Sequence, residues 1–578
     1  MKTSARHAGS TAHAMPALDP AATTPPAVVN IASHLPAMAA RRPFAPAIYF
    51  PDGRADNGRV RYTHYTYRQL DEASDRIARG LHRSGVPAGT RVALMVKPSL
   101  ELFALVFGLF KAGAVPVMVD PGIGLANMKA CLAKARPEAF IGIPTAQVAR
   151  LVLRWARSSS VTITVGKRAP WGGLTLDEVM SRGASHGEGD GDALAPTRAE
   201  DLAAILFTSG STGAPKGAVY THGNFAAQVD ALRETFDIQP GEIDLPTFPL
   251  FALFDPALGM TTVIPDMDPT RPAKASPEKI VEAIEDFGVT CMFGSPALLD
   301  GLSRWGERTG KTLPTLRRVF SAGAPVQTAV LARMRAMLPE DAEVWTPYGA
   351  TECLPVAVIE SREVIDHAAA LTAEGAGVCV GRPVASAEVR VIPITDAPIA
   401  SLDEAPACAT DEVGEIIVRA PQATSRYWEA EAQTRLAKIP AEDGGFFHRM
   451  GDLGYFDADG RLWFCGRKTQ RVVDGDRTWF TVACERVFDT HADVFRSALV
   501  GVPRGGRTDP VLCVQREPDA RLSPVELSRE LRELARAHPM TEAIETFLFH
   551  DDFPVDIRHN AKIRREELAV WARDQLLR

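Results

Sequence analysis

The sequence predicts an α/β protein with more than one domain. Short β-rich runs alternate with helical stretches over residues 43–421, a pattern typical of βα units and largely parallel sheets. The chain has 578 residues, whereas a single hydrophobic core stops growing at roughly 250 to 300 residues. With 46% apolar and 23% charged residues, the composition is that of a folded globular protein. We therefore expect a large domain of βα-layered sheets followed by a small α+β domain.

Three segments follow one another along the chain. Residues 1–26 lack the apolar core of a secretion signal, and we expect a disordered tail on a cytoplasmic protein. Residues 27–465 form the large domain, and residues 466–578 form the small one. In the large domain the predicted strands are 92–96, 115–119, 140–143, 161–165 and 202–208. In the small domain we predict strands at 471–473, 498–502 and 511–515 and a charged helix from about 523 to 537.

Bulk features exclude several classes of function. The net charge is -7 and the basic residues are scattered, so the chain lacks the electrostatic footprint of a nucleic-acid-binding protein. Eight cysteines without a CxxC pair or zinc spacing indicate reduced thiols. The longest apolar stretch, 102–119, is broken by Lys111, Gly113 and Pro116. It predicts a buried helix running into a strand rather than an integral membrane span.

A loop rich in glycine and hydroxyl groups directly follows the predicted strand 202–208. Its three glycines permit positive φ, its hydroxyls and free N–H groups donate to phosphate oxygens, and Lys216 adds a cation. Gly217 stands where a Walker A loop needs Ser or Thr, which argues against a kinase or GTPase. A flexible Ser/Gly turn is the alternative. The predicted triphosphate site comprises Thr208, Ser209, Gly210, Ser211, Thr212, Gly213 and Lys216.

Residues 208–217 match throughout the signature TSGSTGxPKG of the adenylate-forming superfamily of acyl-CoA synthetases, luciferases and non-ribosomal adenylation domains. The sequence resembles that superfamily from about Ile31 onward. Further motifs occur in the same order: SAGAP at 321–325, YGATE at 348–352, Gly451-Asp452, Gly466-Arg467 and Lys562. The resemblance implies adenylation of a carboxylic acid with ATP and Mg²⁺, a small barrel-like part in the large domain, and a mobile small domain.

The YGATE motif is a candidate adenine and metal site. Tyr348 offers a flat face for the base, and Gly349 would let base and backbone come close. Glu352 is predicted to be a magnesium ligand, since a bare carboxylate would repel the nucleotide. Alternatively, Thr351 and Glu352 cap and charge a helix N-terminus. The remaining predicted nucleotide-binding residues are Gly323, Ala324, Pro325 and Ala350, and Thr351 is also a catalytic candidate.

Three later residues take roles from the resemblance. Asp452 is implied to accept hydrogen bonds from both ribose hydroxyls. Arg467 is implied to contact the nucleotide at the domain junction. Lys562 is implied to reach the carboxylate and the α-phosphate, where it would stabilise charge that builds up in the transition state. Taken without the resemblance, Gly451-Asp452 is typical of a turn, and Arg467 and Lys562 are typical of solvated surface residues.

Apolar residues dominate 246–267 and 293–299. This composition indicates an acyl tunnel with Phe251, Phe254, Phe293 and Gly294 in its wall, or equally an ordinary core.

The match is tighter with the β-lactone synthetases of bacterial olefinic hydrocarbon biosynthesis. It is carried by residues 244–249, 251–259, 264–272, 348–356 and 553–563. Those enzymes adenylate a long-chain 2-alkyl-3-hydroxy fatty acid, whose own 3-hydroxyl then attacks the acyl-adenylate and expels AMP. The resemblance implies a thiolase, a reductase and a β-lactone decarboxylase as neighbours in the pathway. His559 is a candidate base toward the 3-hydroxyl.

Two other functions remain open at the level of sequence. A long-chain acyl-CoA or acyl-AMP ligase differs by its dependence on CoA. Ala252 and Thr469 depart from the acyl-CoA ligase pattern and put a thioester step in doubt. A non-catalytic ATP-binding scaffold in a lipid-synthesis complex is the third possibility. The intact Thr351, Glu352, Asp452 and Lys562 argue against it.

Overall fold

The computed structural model describes residues 28–168, 170–184, 193–208, 215–555 and 562–577. In chain order, the strands are β1 (Pro46–Arg54), β2 (Val60–Thr66), β3 (Arg91–Met95), β4 (Val115–Val119), β5 (Ala139–Gly142), β6 (Val161–Thr164), β7 (Leu174–Thr175), β8 (Leu202–Thr208), β9 (Lys216–Thr221), β10 (Ile243–Pro246), β11 (Thr261–Val263), β12 (Cys291–Phe293), β13 (Arg318–Phe320), β14 (Glu343–Trp345), β15 (Tyr348–Ala350), β16 (Cys353–Val358), β17 (Val378–Pro383), β18 (Glu388–Ile392), β19 (Gly414–Arg419), β20 (Lys438–Pro440), β21 (Phe446–Phe456), β22 (Leu462–Arg467), β23 (Val472–Asp474), β24 (Arg477–Trp479), β25 (Val494–Arg504), β26 (Arg507–Arg516) and β27 (Thr546–Phe549). The α-helices are α1 (His34–Arg41), α2 (Tyr67–Arg83), α3 (Leu100–Lys111), α4 (Leu125–Ala135), α5 (Pro144–Val152), α6 (Leu176–Arg182), α7 (His222–Phe236), α8 (Asp255–Leu258), α9 (Pro277–Phe287), α10 (Pro296–Thr309), α11 (Thr328–Met337), α12 (Ser361–Glu363), α13 (Ala369–Ala373), α14 (Glu431–Ala437), α15 (Thr481–Phe488), α16 (Pro524–Arg536) and α17 (Arg565–Leu576).

Two seven-stranded sheets form the first part of the chain. Their strand orders are β14-β13-β12-β10-β11-β1-β2 and β7-β6-β5-β3-β4-β8-β9. Neighbours are parallel except for one antiparallel pair at an edge of each sheet, β1 with β2 and β8 with β9. The predicted βα layers are therefore confirmed here. Strands β4 and β8 have the predicted bounds, and β3, β5 and β6 differ from them by one residue at one end or both.

The apolar stretch 102–119 folds as predicted. It forms most of α3, which is buried along nearly its whole length, and then β4. The one charged residue inside it, Lys111, is buried and pairs through its Nζ with Asp71 at 2.5 Å and Asp75 at 2.6 Å, which compensates the buried charge. Among the described helices, none has both the length and the apolar character needed to cross a membrane.

A third sheet differs from two expectations. Its strand order is β15-β16-β17-β22-β21-β19-β18, with β20 beside β21, and every pairing is antiparallel. The prediction of largely parallel sheets as far as residue 421 thus holds only up to β14. From β15 onward the pairing is antiparallel, because tight connections such as that between β15 and β16 cannot hold the crossover that a parallel pair needs. The barrel-like part is also corrected. In the described chain this sheet is an open path of seven strands, and its two end strands, β15 and β18, are separated by five others.

The last part of the chain forms a three-stranded sheet, β25-β26-β27, covered on both faces. One face packs against Leu527 and Leu531 of α16, and the other against Leu568 and Ala572 of α17. The predicted helix is α16, whose first turn is fixed by a capping box between Ser523 and Glu526. The predicted strands 498–502 and 511–515 lie inside the longer β25 and β26, and 471–473 is displaced by one residue in β23.

Two loops with predicted site residues, one for the acyl chain and one for the nucleotide, follow the carboxyl ends of parallel strands. Gly294 follows β12, and its N–H donates to the Phe320 carbonyl at 2.9 Å. Ser321 follows β13, and its N–H donates to the Trp345 carbonyl at 3.0 Å. Loops at this edge of an α/β sheet are the usual place for a ligand. The third sheet begins with Tyr348, directly after this edge, and so brings its own side chains to the same region.

Candidate active site

Asp452 joins two other predicted nucleotide-binding residues. It lies on β21 directly opposite Arg467 of β22 and is only 4% exposed. Arg467 Nη1 donates to its Oδ1 at 2.6 Å, and the Tyr348 hydroxyl donates to its Oδ2 at 2.7 Å. The Asp452 carboxylate raises the pKa of Arg467, and burial together with Asp452 raises the pKa of Tyr348. Each carboxylate oxygen keeps a second lone pair with which it could accept from a diol.

Glu352 lies in the tight connection between β15 and β16. Its Oε1 accepts a hydrogen bond from the Tyr427 hydroxyl at 2.6 Å, and its backbone carbonyl accepts from Thr424 N–H at 2.8 Å. Burial acts to raise the pKa of Glu352, but His448, the Tyr427 hydrogen bond and Lys438 outweigh it, and the pKa lies below its ordinary value. The carboxylate is therefore ionised at neutral pH.

The alternative of a helix cap at Thr351 and Glu352 is wrong. In the described chain the next helix, α12, begins only at Ser361. The Thr351 carbonyl instead accepts a hydrogen bond from the Tyr220 hydroxyl, which links the β15–β16 connection to β9. Both predicted residues thus belong to a hairpin, where a cap has no helix to serve.

Lys216 is connected to Glu352 through one aromatic ring. Its Nζ lies 5.3 Å from the centroid of the Tyr427 ring, while the hydroxyl of the same ring binds Glu352. Backbone hydrogen bonds from Trp428 to the Gly217 carbonyl at 2.8 Å and from Val219 to the Arg426 carbonyl at 3.2 Å hold the two segments together. Ser209, Gly210, Ser211, Thr212 and Gly213 and the side chain of Thr208 lie outside the described residues.

Two buried bases, Lys438 and His448, lie behind Glu352 and were not found from the sequence. They face each other on β20 and β21. Lys438 Nζ donates to the Thr424 carbonyl and lies 4.9 Å from the centroid of the Phe446 ring. Burial lowers the pKa of Lys438 to about 7, and burial together with Lys438 lowers the pKa of His448 to about 3. The only signal in the sequence was a lysine in a short apolar strand.

The variant Lys438→Met is expected to change how stability depends on pH. The ordinary pKa of lysine is 10.5 and that of folded Lys438 about 7, so between these values the unfolded chain binds more protons and stability rises with pH. Below pH 7 both states are protonated and the full cost of the buried charge is present. Lys438→Met should therefore be more stable than the parent at pH 6. Its advantage should shrink by up to about 1.4 kcal/mol per pH unit toward pH 9.

Urea unfolding at pH 6, 7, 8 and 9 measures this difference. Lys279→Met, which removes a partly exposed lysine paired with Asp266, is the matched control and should show no such trend. An advantage of Lys438→Met that stays constant from pH 6 to pH 9 would contradict the prediction.

Two glycines of the predicted site have structural reasons of their own. A Cβ on Gly349 would lie 2.7 Å from the Cys353 carbonyl oxygen, so the β15–β16 hairpin itself requires glycine there. Gly323 is exposed and has a φ of +96°, which favours glycine. Ala324 and Pro325 beside it are partly exposed, and Ser321 before it is buried. Ala350, which follows Gly349 and ends β15, is half-buried, and so is Thr351 directly after it.

The predicted acyl residues are brought together in part. The rings of Phe251 and Phe293 meet edge to face with centroids 4.6 Å apart. Phe254 instead contacts Phe225 at 6.3 Å. All three predicted phenylalanines are half-buried, whereas Gly294 is buried and a Cβ on it would lie 2.7 Å from Leu299 Cδ2. Phe251 and Phe293 thus present a partly open apolar wall, and their contact with an acyl chain remains a prediction.

The two remaining catalytic candidates belong to the last part of the chain. Lys562 is exposed and precedes Ile563, which pairs with Val555 as an isolated bridge. His559 lies outside the described residues. The roles of both stay predictions.

The site fits a magnesium ion of the nucleotide-bound type. Among the described residues, no group of three or more His, Cys, Asp and Glu side chains could hold a metal alone. Glu352 supplies one ionised carboxylate, and only one of its oxygens is engaged by Tyr427. Magnesium is commonly held by one or two carboxylates together with substrate phosphates and water. A single ionised carboxylate, linked through Tyr427 to Lys216 of the predicted phosphate loop, matches that arrangement.

The chain is similar to a family of enzymes, to two bacterial synthetases and to a solved structure. A family described as AMP-binding enzyme matches residues 35–428. The olefin β-lactone synthetase of Xanthomonas campestris pv. campestris is 54% identical, over 94% of this chain and 98% of that protein. The olefin β-lactone synthetase of Stenotrophomonas maltophilia is 54% identical, over 95% and 98%. The solved structure of the amide bond synthetase McbA from Marinactinospora thermotolerans superposes with a TM-score of 0.76 at 24% identity, covering 94% of this chain and 99% of that one.

Proposed function

Because the chain belongs to the AMP-binding enzyme family and to that of the olefin β-lactone synthetases, we propose that it is an ATP-dependent β-lactone-forming ligase. Its substrate is a long-chain 2-alkyl-3-hydroxy fatty acid, and its products are a β-lactone, AMP and pyrophosphate. The observation that carries this proposal is the 54% identity over 98% of a synthetase's length.

The first step joins the acid to AMP. A carboxylate oxygen attacks the α-phosphorus of ATP, and the bond from that phosphorus to the departing pyrophosphate breaks. Asp452, held between Tyr348 and Arg467, is suited to bind the ribose hydroxyls. Lys216 and the loop before it would hold the polyphosphate. Glu352 would hold magnesium, which when bound offsets the negative charge of the phosphates.

The second step closes the ring. The 3-hydroxyl oxygen attacks the acyl carbonyl, its proton passes to a base, and the bond from the carbonyl carbon to the AMP oxygen breaks. Holding the two reacting groups of one molecule together can lower a barrier by about 7 to 11 kcal/mol, from which ring strain is subtracted. Phe251 and Phe293 are suited to fix an alkyl branch, and His559 is the candidate base.

A paired-substrate assay tests the function. With ATP and Mg²⁺ but without CoA, a 2-alkyl-3-hydroxy acid should give AMP and a lactone by mass spectrometry. The matched acid without the 3-hydroxyl should give acyl-adenylate but no lactone. If product forms only when CoA is added, and is a thioester, the chain is an acyl-CoA ligase. If no acid yields AMP, the ATP-binding scaffold gains support.

Two further proposals follow from the substrate and product. We propose that the protein works in the cytoplasm beside enzymes of the same pathway. A thiolase and a reductase would supply the hydroxy acid, and a β-lactone decarboxylase would consume the product.

A further inference from the structure

Helix α5 turns large apolar side chains toward solvent. Val148 is 46% exposed, Leu151 49% and Val152 73%. Their spacing of three and four residues places them on one side of the helix. Gln147 is fully buried instead, and its Nε2 donates to the Ile163 carbonyl at 3.0 Å. One side of this helix is therefore apolar but faces solvent, contrary to the usual arrangement of apolar inward and polar outward.

The neighbouring helix adds a fourth apolar residue. Leu125, the first residue of α4, is 64% exposed. Both helices contribute to one core cluster, α4 through Met128 and Leu132 and α5 through Ala149. The fold therefore does not need the four outer residues for its own packing. We call Leu125, Val148, Leu151 and Val152 the α4–α5 face.

The chain segment that carries this face is rich in basic residues. Residues 121–160 contain one acidic side chain, Glu138, although the whole chain has a net charge of -7. Glu138 is already paired with Arg91 at 3.2 Å. The same segment contains six basic residues, Lys129, Lys134, Arg136, Arg150, Arg154 and Arg157. Of these, Arg136 also meets Glu429 at 3.3 Å, and Lys129, Arg154 and Arg157 are exposed.

We propose that the α4–α5 face docks on the surface of an anionic lipid bilayer. Apolar side chains flanked by Lys and Arg are the pattern of elements that lie in a membrane interface, where each basic residue gains from the negative surface potential. A stable protein partner generally covers about 20 to 30 residues on each side, far more than these four. The face would bring the enzyme to a substrate that partitions into lipid, and in this respect the inference rests on the proposed function.

Vesicle sedimentation tests the proposal without any need for turnover. The parent protein should bind vesicles of phosphatidylglycerol and phosphatidylcholine, bind pure phosphatidylcholine weakly, and lose binding at high salt. The combined variant Val148→Ser, Leu151→Ser, Val152→Ser should bind anionic vesicles about tenfold more weakly. Arg154→Gln with Arg157→Gln should weaken binding to anionic vesicles only.

Val525→Ser is the matched control, because Val525 is an 80% exposed apolar residue on a different helix, α16. It should bind vesicles like the parent. Equal binding of the parent and the triple serine variant would overturn the proposal, as would a parent that binds neither vesicle. A parent protein that binds neither kind of vesicle would favour a protein partner for the α4–α5 face. Turnover of a detergent-dispersed acid should be unchanged in the triple variant, so a failure of the proposed reaction is seen separately from a failure of lipid binding.

Discussion

Replacing Asp452 with asparagine is expected to lower kcat/KM for ATP by about 10- to 150-fold. Hydrogen bonds to a charged group are worth about 1.5 to 3 kcal/mol, and asparagine keeps the size of the side chain but not its charge. The amide would also turn a donor toward Arg467 or Tyr348, both of which now donate to Asp452. The loss should therefore appear chiefly as a raised KM for ATP, with little change in KM for the acid.

The same hairpin offers a control for Asp452→Asn. Asp457 lies beyond the other end of β21 and accepts hydrogen bonds from Arg461 at 2.7 Å and Trp463 at 2.8 Å. Asp457→Asn should lower thermal stability without changing KM for ATP. Steady-state pyrophosphate release at varied ATP measures both variants. A KM for ATP that rises equally in the two would mean that Asp452 acts only through the stability of the hairpin.

Local patterns in the sequence predicted much of the fold. β4 and β8 have their predicted bounds because a short β-rich run flanked by turn residues defines a buried strand. The sequence also predicted that α3 runs into β4, because charged, glycine and proline residues interrupt the apolar stretch. The third sheet was not predicted, because pairing direction depends on how far the chain must travel between strands, and a pair distant in sequence, such as β17 with β22, leaves no local mark.

The candidate site, like the fold, could be predicted from the sequence only in part. Tyr348, Asp452 and Arg467 were predicted separately from short motifs, and the structure brings all three into hydrogen-bond contact. Tyr427 and Lys438 were missed. Their place beside Glu352 results from the packing of β20, β21 and the hairpin 348–358, which is tertiary structure that no short motif records.

Tyr427 contacts both parts of the candidate site. One ring places its face toward Lys216 and its hydroxyl on Glu352, so it touches both the cation of the predicted phosphate loop and the predicted metal ligand. Burial and Glu352 raise the pKa of Tyr427, which keeps its hydroxyl protonated as a donor. The two halves of the predicted polyphosphate site are therefore joined through a residue outside both motifs.

The variant Lys562→Ala is expected to lose nearly all acyl-adenylate formation while ATP binding is retained. Adenylation brings two anions together, and charge increases on the phosphorus as the bond forms. A cation placed there acts most strongly in the transition state, where loss of one stabilising group costs about 100- to 1,000-fold in kcat. Lys562 is exposed in this structure, as suits a group that reaches its target only in a closed form. The exchange of labelled pyrophosphate into ATP measures this step directly.

Arg564→Ala is the matched control, since Arg564 is an exposed cation two residues away that pairs with Glu567 at 3.1 Å. It should leave the exchange rate near that of the parent, and Lys562→Arg should recover part of the loss if positive charge is what matters. Equal exchange by Lys562→Ala and the parent would remove Lys562 from the first step. A similar loss in Arg564→Ala would point instead to the fold around Val555 and Ile563, which pair immediately before α17. Only a loss specific to Lys562, with unchanged ATP affinity, assigns the cation to the reaction itself.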